Sequence, residues 1–257
     1  MQSNKSTVLF ERQGKIGRII LNRPERLNAV AQADVERLAE VVEEVDRIPE
    51  IRLVTVEGVG HSFSTGIDMK ALSQSQIDVV RLAKPWDFAL RRLETMDKIV
   101  LCLMHGYTMG GGLQLALAAD IRVTTPTAKI SVPANREGLL PSMATFRLAR
   151  FIGLGRARRM ILLGDTIDGV EAHRIGLADH VVSEEHRDGE FRKLIDEYMR
   201  ANSEGTRLAK QALLDCFDQD FDAFVIRNFE RIDKAQHSQD FAEAMAAYRE
   251  KRMPNWR

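Results

Sequence analysis

The first sixty residues alternate between the hydrophobic periods of strands and helices. Val8–Arg12 and Ile16–Leu21 are short apolar segments that predict two strands joined by a turn at Gln13–Lys15. From Ala31 to Ile48 apolar residues recur at every third or fourth position with charged residues between them, which predicts an amphipathic helix. The β-branched segment Ile51–Val56 then predicts a buried strand.

The same alternation continues to about residue 182. It predicts further strands at Ile99–Met104 and Ile121–Thr124. The predicted helices are Trp86–Met96, Leu113–Ala119, Phe146–Leu163 and Gly169–Ile175. Strands that alternate with helices form βαβ units, so the pattern predicts an α/β fold with a mainly parallel sheet. Residues 187–257 are nearly all helix-forming, and we predict an α/β core over residues 1–186 followed by a helical region over 187–257.

Composition and charge exclude several classes of protein. The 257 residues contain 37 Lys and Arg against 37 Asp and Glu, so the formal net charge is zero. A nucleic-acid binder or a polybasic membrane-surface protein needs an excess of cations, and we predict neither partner. With 44% hydrophobic and 29% charged residues, the chain is also unlike disordered or fibrous proteins.

The cysteines and histidines predict neither a disulfide scaffold nor a metal site. Cys102 and Cys216 are far apart in the sequence, which favours a reducing compartment. Four histidines in the second half show no metal-ligand spacing: His173, His180, His186 and His237. The N-terminus has no apolar leader, and no apolar run approaches the ~20 residues that span a bilayer. We therefore expect a soluble cytoplasmic protein without a metal.

A first candidate loop, Gly58–Lys70, directly follows the predicted strand Ile51–Val56. Loops at the carboxyl ends of strands are the usual ligand sites of open α/β sheets. The loop begins like a dinucleotide-binding fingerprint, but Phe63 occupies the position of the third glycine. It also resembles a nucleophile elbow around Ser62, but Ser64 replaces the closing glycine. A flexible surface loop is the remaining alternative, and apolar residues interleaved in the loop make it less favoured.

The second candidate loop contains three consecutive glycines, Gly110–Gly112, between a predicted strand and a predicted helix. Consecutive glycines cost conformational entropy on folding, so their bare backbone is expected to serve a close approach. The amides at a helix start lack intrahelical partners and suit an oxyanion. A tight strand–helix crossing would require small residues as well, and spacing alone leaves these two alternatives even.

Seven motifs follow one another along most of the chain and include parts of these two loops. They are Leu21–Ala29, Ser64–Asp68, Gly106–Gly112, Ala119–Arg122, Gly164–Asp168, Ala172–Leu177 and Tyr248–Trp256. Together they resemble the crotonase superfamily, the enoyl-CoA hydratase/isomerase family. The resemblance implies a spiral of βαβ units that forms two sheets, with a C-terminal helical region that builds homotrimers or dimers of trimers. It also implies an acyl-CoA thioester substrate and no covalently bound cofactor.

The resemblance further implies roles for individual residues. The backbone amides of Ile67 and Gly111 would form an oxyanion hole for the thioester carbonyl. The other expected substrate-binding residues are Leu27, Ala29, Ser64, Gly66, Asp68, Met69, Lys70 and Gly110.

The two glutamates that the family's hydratases use are missing at the matching positions. Gln114 and Ala134 stand there instead, and neither side chain can act as a general base. Ser142–Thr145 also replaces a glycine-rich stretch of the family. We therefore expect hydration by a pair of carboxylates to be lost. Glu137 is a hypothetical replacement base on grounds of sequence proximity, and a solvent-facing glutamate beside Arg136 is the alternative.

The sequence leaves three candidate functions. The first is an acyl-CoA enzyme that stabilises a thioester enolate and performs hydrolysis, decarboxylation or isomerisation. The second is a catalytically weak acyl-CoA binder or partner subunit. The third, a dinucleotide-dependent oxidoreductase, is disfavoured because the fingerprint fails at Phe63.

Local clusters of basic residues could attract the phosphates of CoA despite the zero net charge. No acidic residue lies between Gly138 and Gly164, and a second basic cluster ends the chain. The cationic residues of the two clusters are Arg147, Arg150, Arg156, Arg158, Arg159, Arg249, Lys251, Arg252 and Arg257. Solvated helix faces are the alternative explanation for some of them.

Overall fold

The computed structural model describes residues 6–74, 79–201 and 203–256. In chain order its strands are β1 (Val8–Gln13), β2 (Ile16–Leu21), β3 (Leu53–Gly58), β4 (Ile99–Met104), β5 (Tyr107–Met109), β6 (Ile121–Thr124), β7 (Lys129–Ser131), β8 (Thr166–Ile167) and β9 (His180–Val181). Its α-helices are α1 (Gln32–Asp46), α2 (Met69–Gln74), α3 (Val79–Thr95), α4 (Gly111–Leu117), α5 (Ala144–Leu163), α6 (Gly169–Arg174), α7 (Arg187–Tyr198), α8 (Ser203–Asp215), α9 (Phe221–Gln236) and α10 (Gln239–Glu250).

The strands form two sheets. The larger sheet has the order β1-β2-β3-β4-β6-β9, and all its pairs are parallel except the β1–β2 hairpin. The smaller sheet has the order β5-β7-β8, with β5 and β7 parallel. The prediction of an α/β fold with a mainly parallel sheet is confirmed.

The amphipathic helices cover one face of the large sheet. The apolar stripe of α1, including Val35 and Leu38, is buried as its spacing predicts. Leu90 and Leu93 of α3 lie in the same core cluster, together with Val54 of β3. Apolar burial of this kind is the main stabilising contribution to the fold, at ~25 cal/mol per Å² removed from water.

Several elements differ from the sequence prediction. Helix α3 begins at Val79 and continues through Pro85, whereas the predicted helix began at Trp86. The second sheet and β9 were missed because their strands contain only two or three residues, too few to show a period. Helix α5 is interrupted at Gly153, whose backbone is not helical.

The C-terminal helices contact the core unevenly. Phe191 of α7 packs with Leu101 and Leu103 of β4. Lys210 of α8 is buried, and its Nζ lies 2.8 Å from the Asp120 carboxylate beyond α4. By contrast, none of the residues of α9 is buried. Among the described residues, no helix has the length and apolarity that a bilayer crossing requires.

Candidate functional site

A parallel bridge between Val30 and Ile67 orients one backbone amide of the first loop. Val30 donates its N–H to the Gly66 carbonyl at 2.7 Å, and Asp68 donates to the Val30 carbonyl at 2.9 Å. The intervening residue, Ile67, therefore directs its N–H to the opposite side. In the described residues this N–H makes no hydrogen bond.

The same loop lies directly against the glycine-rich segment. Ser64 donates to the Tyr107 carbonyl at 3.0 Å, and Met109 donates to the Ser64 carbonyl at 2.9 Å. A Cβ on Gly112 would lie 2.5 Å from the Ser64 carbonyl oxygen, so this position requires glycine. The tight crossing, one of the two alternatives that the sequence left open, is therefore present.

Two unbonded amides converge at the crossing. Gly111 is the first residue of α4, and its N–H has no hydrogen-bond partner among the described residues. An ideal Cβ on Gly111 would lie 3.7 Å from the Ile67 nitrogen, and one on Gly66 would lie 2.7 Å from the Gly111 nitrogen. Two donors this close can bind one oxygen atom that carries developing negative charge.

A cleft of about 380 Å³ and a small cavity of about 30 Å³ meet at these amides. Both spaces are bordered by five residues: Ile67, Ala83, Gly111, Gln114 and Ser142. The cleft also contains Ala29, Asp68, Met69, Gly110, Ala134 and Glu137 of the expected site. The structure thus brings most of the expected residues together around one space.

Gln114 and Ala134, the two positions expected to differ from hydratases, both border the cleft. The Gln114 side chain is buried, and its Oε1 has no hydrogen-bond partner in the described part of the chain. Such an unpaired buried acceptor is uncommon and would bind a donor from a ligand or a water. Ala134 offers only a methyl group. Glu137 borders the cleft but is exposed to solvent.

Asp68 anchors the loop. Its carboxylate accepts hydrogen bonds from the Ala71 amide at 3.0 Å and from the Arg23 guanidinium at 3.2 Å. The bond from the Ala71 amide, supported by the charge of Arg23, holds the pKa of Asp68 below its ordinary value despite partial burial. The charged Asp68 carboxylate thereby holds the first site loop in place.

Asn28 is a positioning residue that sequence reasoning left without a role. It is buried with a left-handed backbone (φ 54°). Its Nδ2 donates to the Val59 and Ser62 carbonyls at 3.0 and 2.9 Å, while its Oδ1 accepts from the Arg23 amide at 2.8 Å. One side chain therefore ties the segment before α1 to the first site loop.

Some expected substrate-binding residues lie outside the cleft lining. Ser64 is fully buried, and its hydroxyl donates to the Asn28 carbonyl and accepts from the Gly66 amide, so it holds the loop. Gly66 lies behind the two amides. Leu27 and Lys70 are exposed but do not border the cleft. Arg26, which sequence reasoning did not select, does border it and is exposed.

Several arginines expected to attract phosphates are instead paired with carboxylates. Arg147 is buried between Asp87 and Glu94. Arg150 contacts Asp218 and stacks on Phe146, 3.8 Å from the ring centroid. Two more of these arginines form ion pairs: Arg159 pairs with Asp165, and Arg252 pairs with both Glu243 and Glu250. Asp87, Glu94 and Asp218 are distant in the sequence from the arginines that they pair with, whereas Asp165, Glu243 and Glu250 are not. Arg257 lies outside the described residues.

Two further groups that could take part in chemistry, His105 and Cys102, are buried in the fold. His105 is buried, and its Nε2 lies 3.2 Å from the Gly60 carbonyl, while burial lowers its pKa. Burial also raises the pKa of the Cys102 thiol, so it stays protonated. Among the residues that the structure describes, no cluster of three potential ligands could hold a metal ion.

Comparisons with known proteins identify relatives of the chain by sequence and by fold. The chain matches the family described as enoyl-CoA hydratase/isomerase over residues 11–257. It is 30% identical over 97% of both chains to a Mycobacterium bovis protein named "Probable enoyl-CoA hydratase echA8". It is 28% identical over 96% of both chains to the short-chain-enoyl-CoA hydratase of Clostridium acetobutylicum. The crystal structure of an enoyl-CoA hydratase from Bacillus anthracis superposes with a TM-score of 0.92 at 25% identity, covering 98% of this chain and 99% of that one. The chain therefore belongs to the enoyl-CoA hydratase/isomerase family.

Proposed function

We propose that this protein is an acyl-CoA enzyme that binds a thioester carbonyl oxygen between the backbone amides of Ile67 and Gly111. The convergence of these two unbonded amides at one cleft is the observation that supports the proposal. Charge that develops on the carbonyl oxygen would be stabilised there, and one such donor contributes ~2.7–4 kcal/mol in the transition state.

The substrate class follows from the family and from the cleft. Relatives bear the names of enoyl-CoA hydratases. Part of the cleft lining is apolar, including Met69 and Met109, and the exposed cation of Arg26 lies at its border. This arrangement suits an apolar acyl chain with an anionic CoA group outside. No covalently bound cofactor enters the proposal.

The chemistry that we propose is not hydration by two carboxylates. Gln114 cannot take a proton near neutral pH, and Ala134 has no polar group. The proposed reactions are those that need a stabilised oxyanion or enolate without that pair: thioester hydrolysis, decarboxylation or isomerisation. The hypothesis that Glu137 supplies a base stays a prediction, since its carboxylate lies exposed at the edge of the cleft.

A catalytically weak acyl-CoA binder is the second candidate. The small cavity beside the two amides is bordered by no carboxylate and no histidine among the described residues. Binding alone would be compatible with such a lining, since the amides would hold the carbonyl oxygen without a proton transfer.

We also propose that the helical region assembles the protein into a homotrimer or a dimer of trimers in the cytoplasm. Three apolar residues at a spacing of three along α9, Ile226, Phe229 and Ile232, are each more than half exposed. A contiguous apolar face of this kind is unusual on a monomer and is typical of an interface.

A screen of CoA thioesters tests the proposed function. The purified protein would be incubated with crotonyl-CoA and with saturated, aromatic and malonyl-type thioesters, followed by product analysis. We expect turnover of at least one thioester without rapid hydration of crotonyl-CoA. Hydration as fast as that of a two-glutamate enzyme would contradict the proposal. Micromolar binding by calorimetry without turnover of any thioester would instead support the binder.

A further inference from the structure

Ser142 places a hydroxyl group at the meeting point of the cleft and the small cavity. It is one of four non-glycine residues in the described chain with a positive φ, here 38°. L-residues adopt this conformation at an energetic cost, and such strain concentrates at functional sites. The small cavity is also bordered by Ile67 and Gly111, the residues whose amides are free.

The Ser142 hydroxyl donates a hydrogen bond to the Asp87 carboxylate. The other carboxylate oxygen of Asp87 accepts from the Arg147 guanidinium at 3.2 Å, and that guanidinium also pairs with Glu94. Arg147 is buried, so the orientation of Asp87 is fixed from behind. An activated nucleophile typically combines a hydroxyl, a base in contact with it and a third group that orients the base.

We propose that Ser142 is the nucleophile and Asp87 the general base of a thioester hydrolysis at this site. The proposal rests on the proposed function, because it takes the carbonyl to be held by the Ile67 and Gly111 amides. It deepens that function by choosing one reaction among those named above. The exposed Glu137 has no part in it.

The reaction balances without any group beyond the thioester and water. Ser142 Oγ bonds to the carbonyl carbon, its proton passes to Asp87, and the carbonyl electron pair moves to the oxygen held by the two amides. As the carbonyl re-forms, the C–S bond breaks and the departing CoA thiolate takes the proton from Asp87. Water then attacks the acyl-serine ester and gives a proton to Asp87. Collapse of this second intermediate releases the carboxylic acid and returns the proton to Ser142.

Three variants of the full chain test the pair. Ser142→Gly removes the hydroxyl and suits the positive φ, so folding is expected to be retained. Asp87→Asn keeps the shape of the base but removes its charge. Asp46→Asn is the matched control, because it makes the same substitution at an arginine-paired carboxylate of α1 that does not border the cleft or the small cavity. CoA release would be followed with a thiol reagent, and acid-quenched samples would be mapped by mass spectrometry.

We expect the wild-type protein and Asp46→Asn to release CoA at similar rates, with an acyl adduct on the peptide that contains Ser142. Asp87→Asn should lose activity by ~10²-fold or more, the usual effect of removing a general base. Ser142→Gly should lose at least as much, because it removes the nucleophile itself. Wild-type rates in Ser142→Gly, or an adduct on another residue, would overturn the proposal while leaving the oxyanion site intact. A wild-type protein that releases no CoA would overturn it too, and a bound thioester whose carbonyl is not polarised would separately contradict the proposed function.

Discussion

Gly66 offers the sharpest structural perturbation of the two amides. Its φ is +85°, and a Cβ placed on it would lie 2.7 Å from both the Gly111 nitrogen and the Met109 carbonyl oxygen. These contacts are with backbone atoms of the crossing itself, so the added methyl group of Gly66→Ala must push the two amides apart. The left-handed conformation adds a cost of roughly 1–2 kcal/mol for an L-residue.

The two effects predict separate magnitudes for Gly66→Ala. Displacing one oxyanion donor should cost ~2.7–4 kcal/mol of transition-state stabilisation, or ~10²–10³-fold in kcat. The loss of unfolding free energy from the backbone strain should lower Tm by about 2–4 °C per kcal/mol in a chain of this size. The assay is turnover of whichever thioester the wild-type protein converts fastest, together with a thermal melt.

Gly14→Ala is the matched control for this prediction. Gly14 has a similar φ of +62° in the β1–β2 turn, but an added Cβ there would meet no atom within 4 Å. We expect a comparable strain penalty in Tm with unchanged kcat. If Gly66→Ala kept full activity while folded, the assignment of the oxyanion hole to these amides would be refuted.

Further predictions concern the base, the loop, the interface and the thiols. Glu137→Gln should reduce kcat by less than the ~10²-fold that loss of a general base causes, and a larger loss would restore Glu137 as the base. The pKa of Asp68 is lowered in the folded state, so its charged carboxylate stabilises the fold. This contribution is fully present above the unfolded pKa of about 3.9 and is lost as the pH falls through the folded pKa. The difference in unfolding free energy between wild type and Asp68→Asn, measured in urea, should therefore shrink in acid, and a constant difference would argue against this reasoning. Phe229→Glu places a charge on an apolar side chain that is 66% exposed, so sedimentation should show a smaller assembly than wild type, whereas an unchanged mass would remove α9 from the interface. Iodoacetamide should modify exposed Cys216 and spare buried Cys102 in the native protein, and labelling of both by mass spectrometry would contradict the burial.

The features that could be predicted from the sequence are those with a local signal. The spacing of apolar residues in α1 reports directly which face is buried. Gly110–Gly112 marked the crossing because a bare backbone is required where two chains approach closely. The assignment of Ile67 as a donor came from the family resemblance, and the bridge at Val30 supplies its geometric reason.

The features that could not be predicted depend on contacts between distant parts of the chain. Ser142 and Asp87 are 55 positions apart, and no local pattern indicates that one bonds the other. Two arginines of the cluster that looked cationic are paired in the same way, Arg147 with Asp87 and Glu94 of α3 and Arg150 with Asp218. The strands of the smaller sheet are too short for a period to appear.

Difference infrared spectroscopy of a bound thioester tests the central claim most directly. A saturated acyl-CoA labelled with ¹³C at the thioester carbonyl would be added to the wild-type protein, and its carbonyl stretch compared with that in solution. Two amide donors from Ile67 and Gly111 should weaken the C=O bond and move the stretch to lower wavenumber. A bound thioester whose carbonyl stretch stays at its solution position would contradict the account.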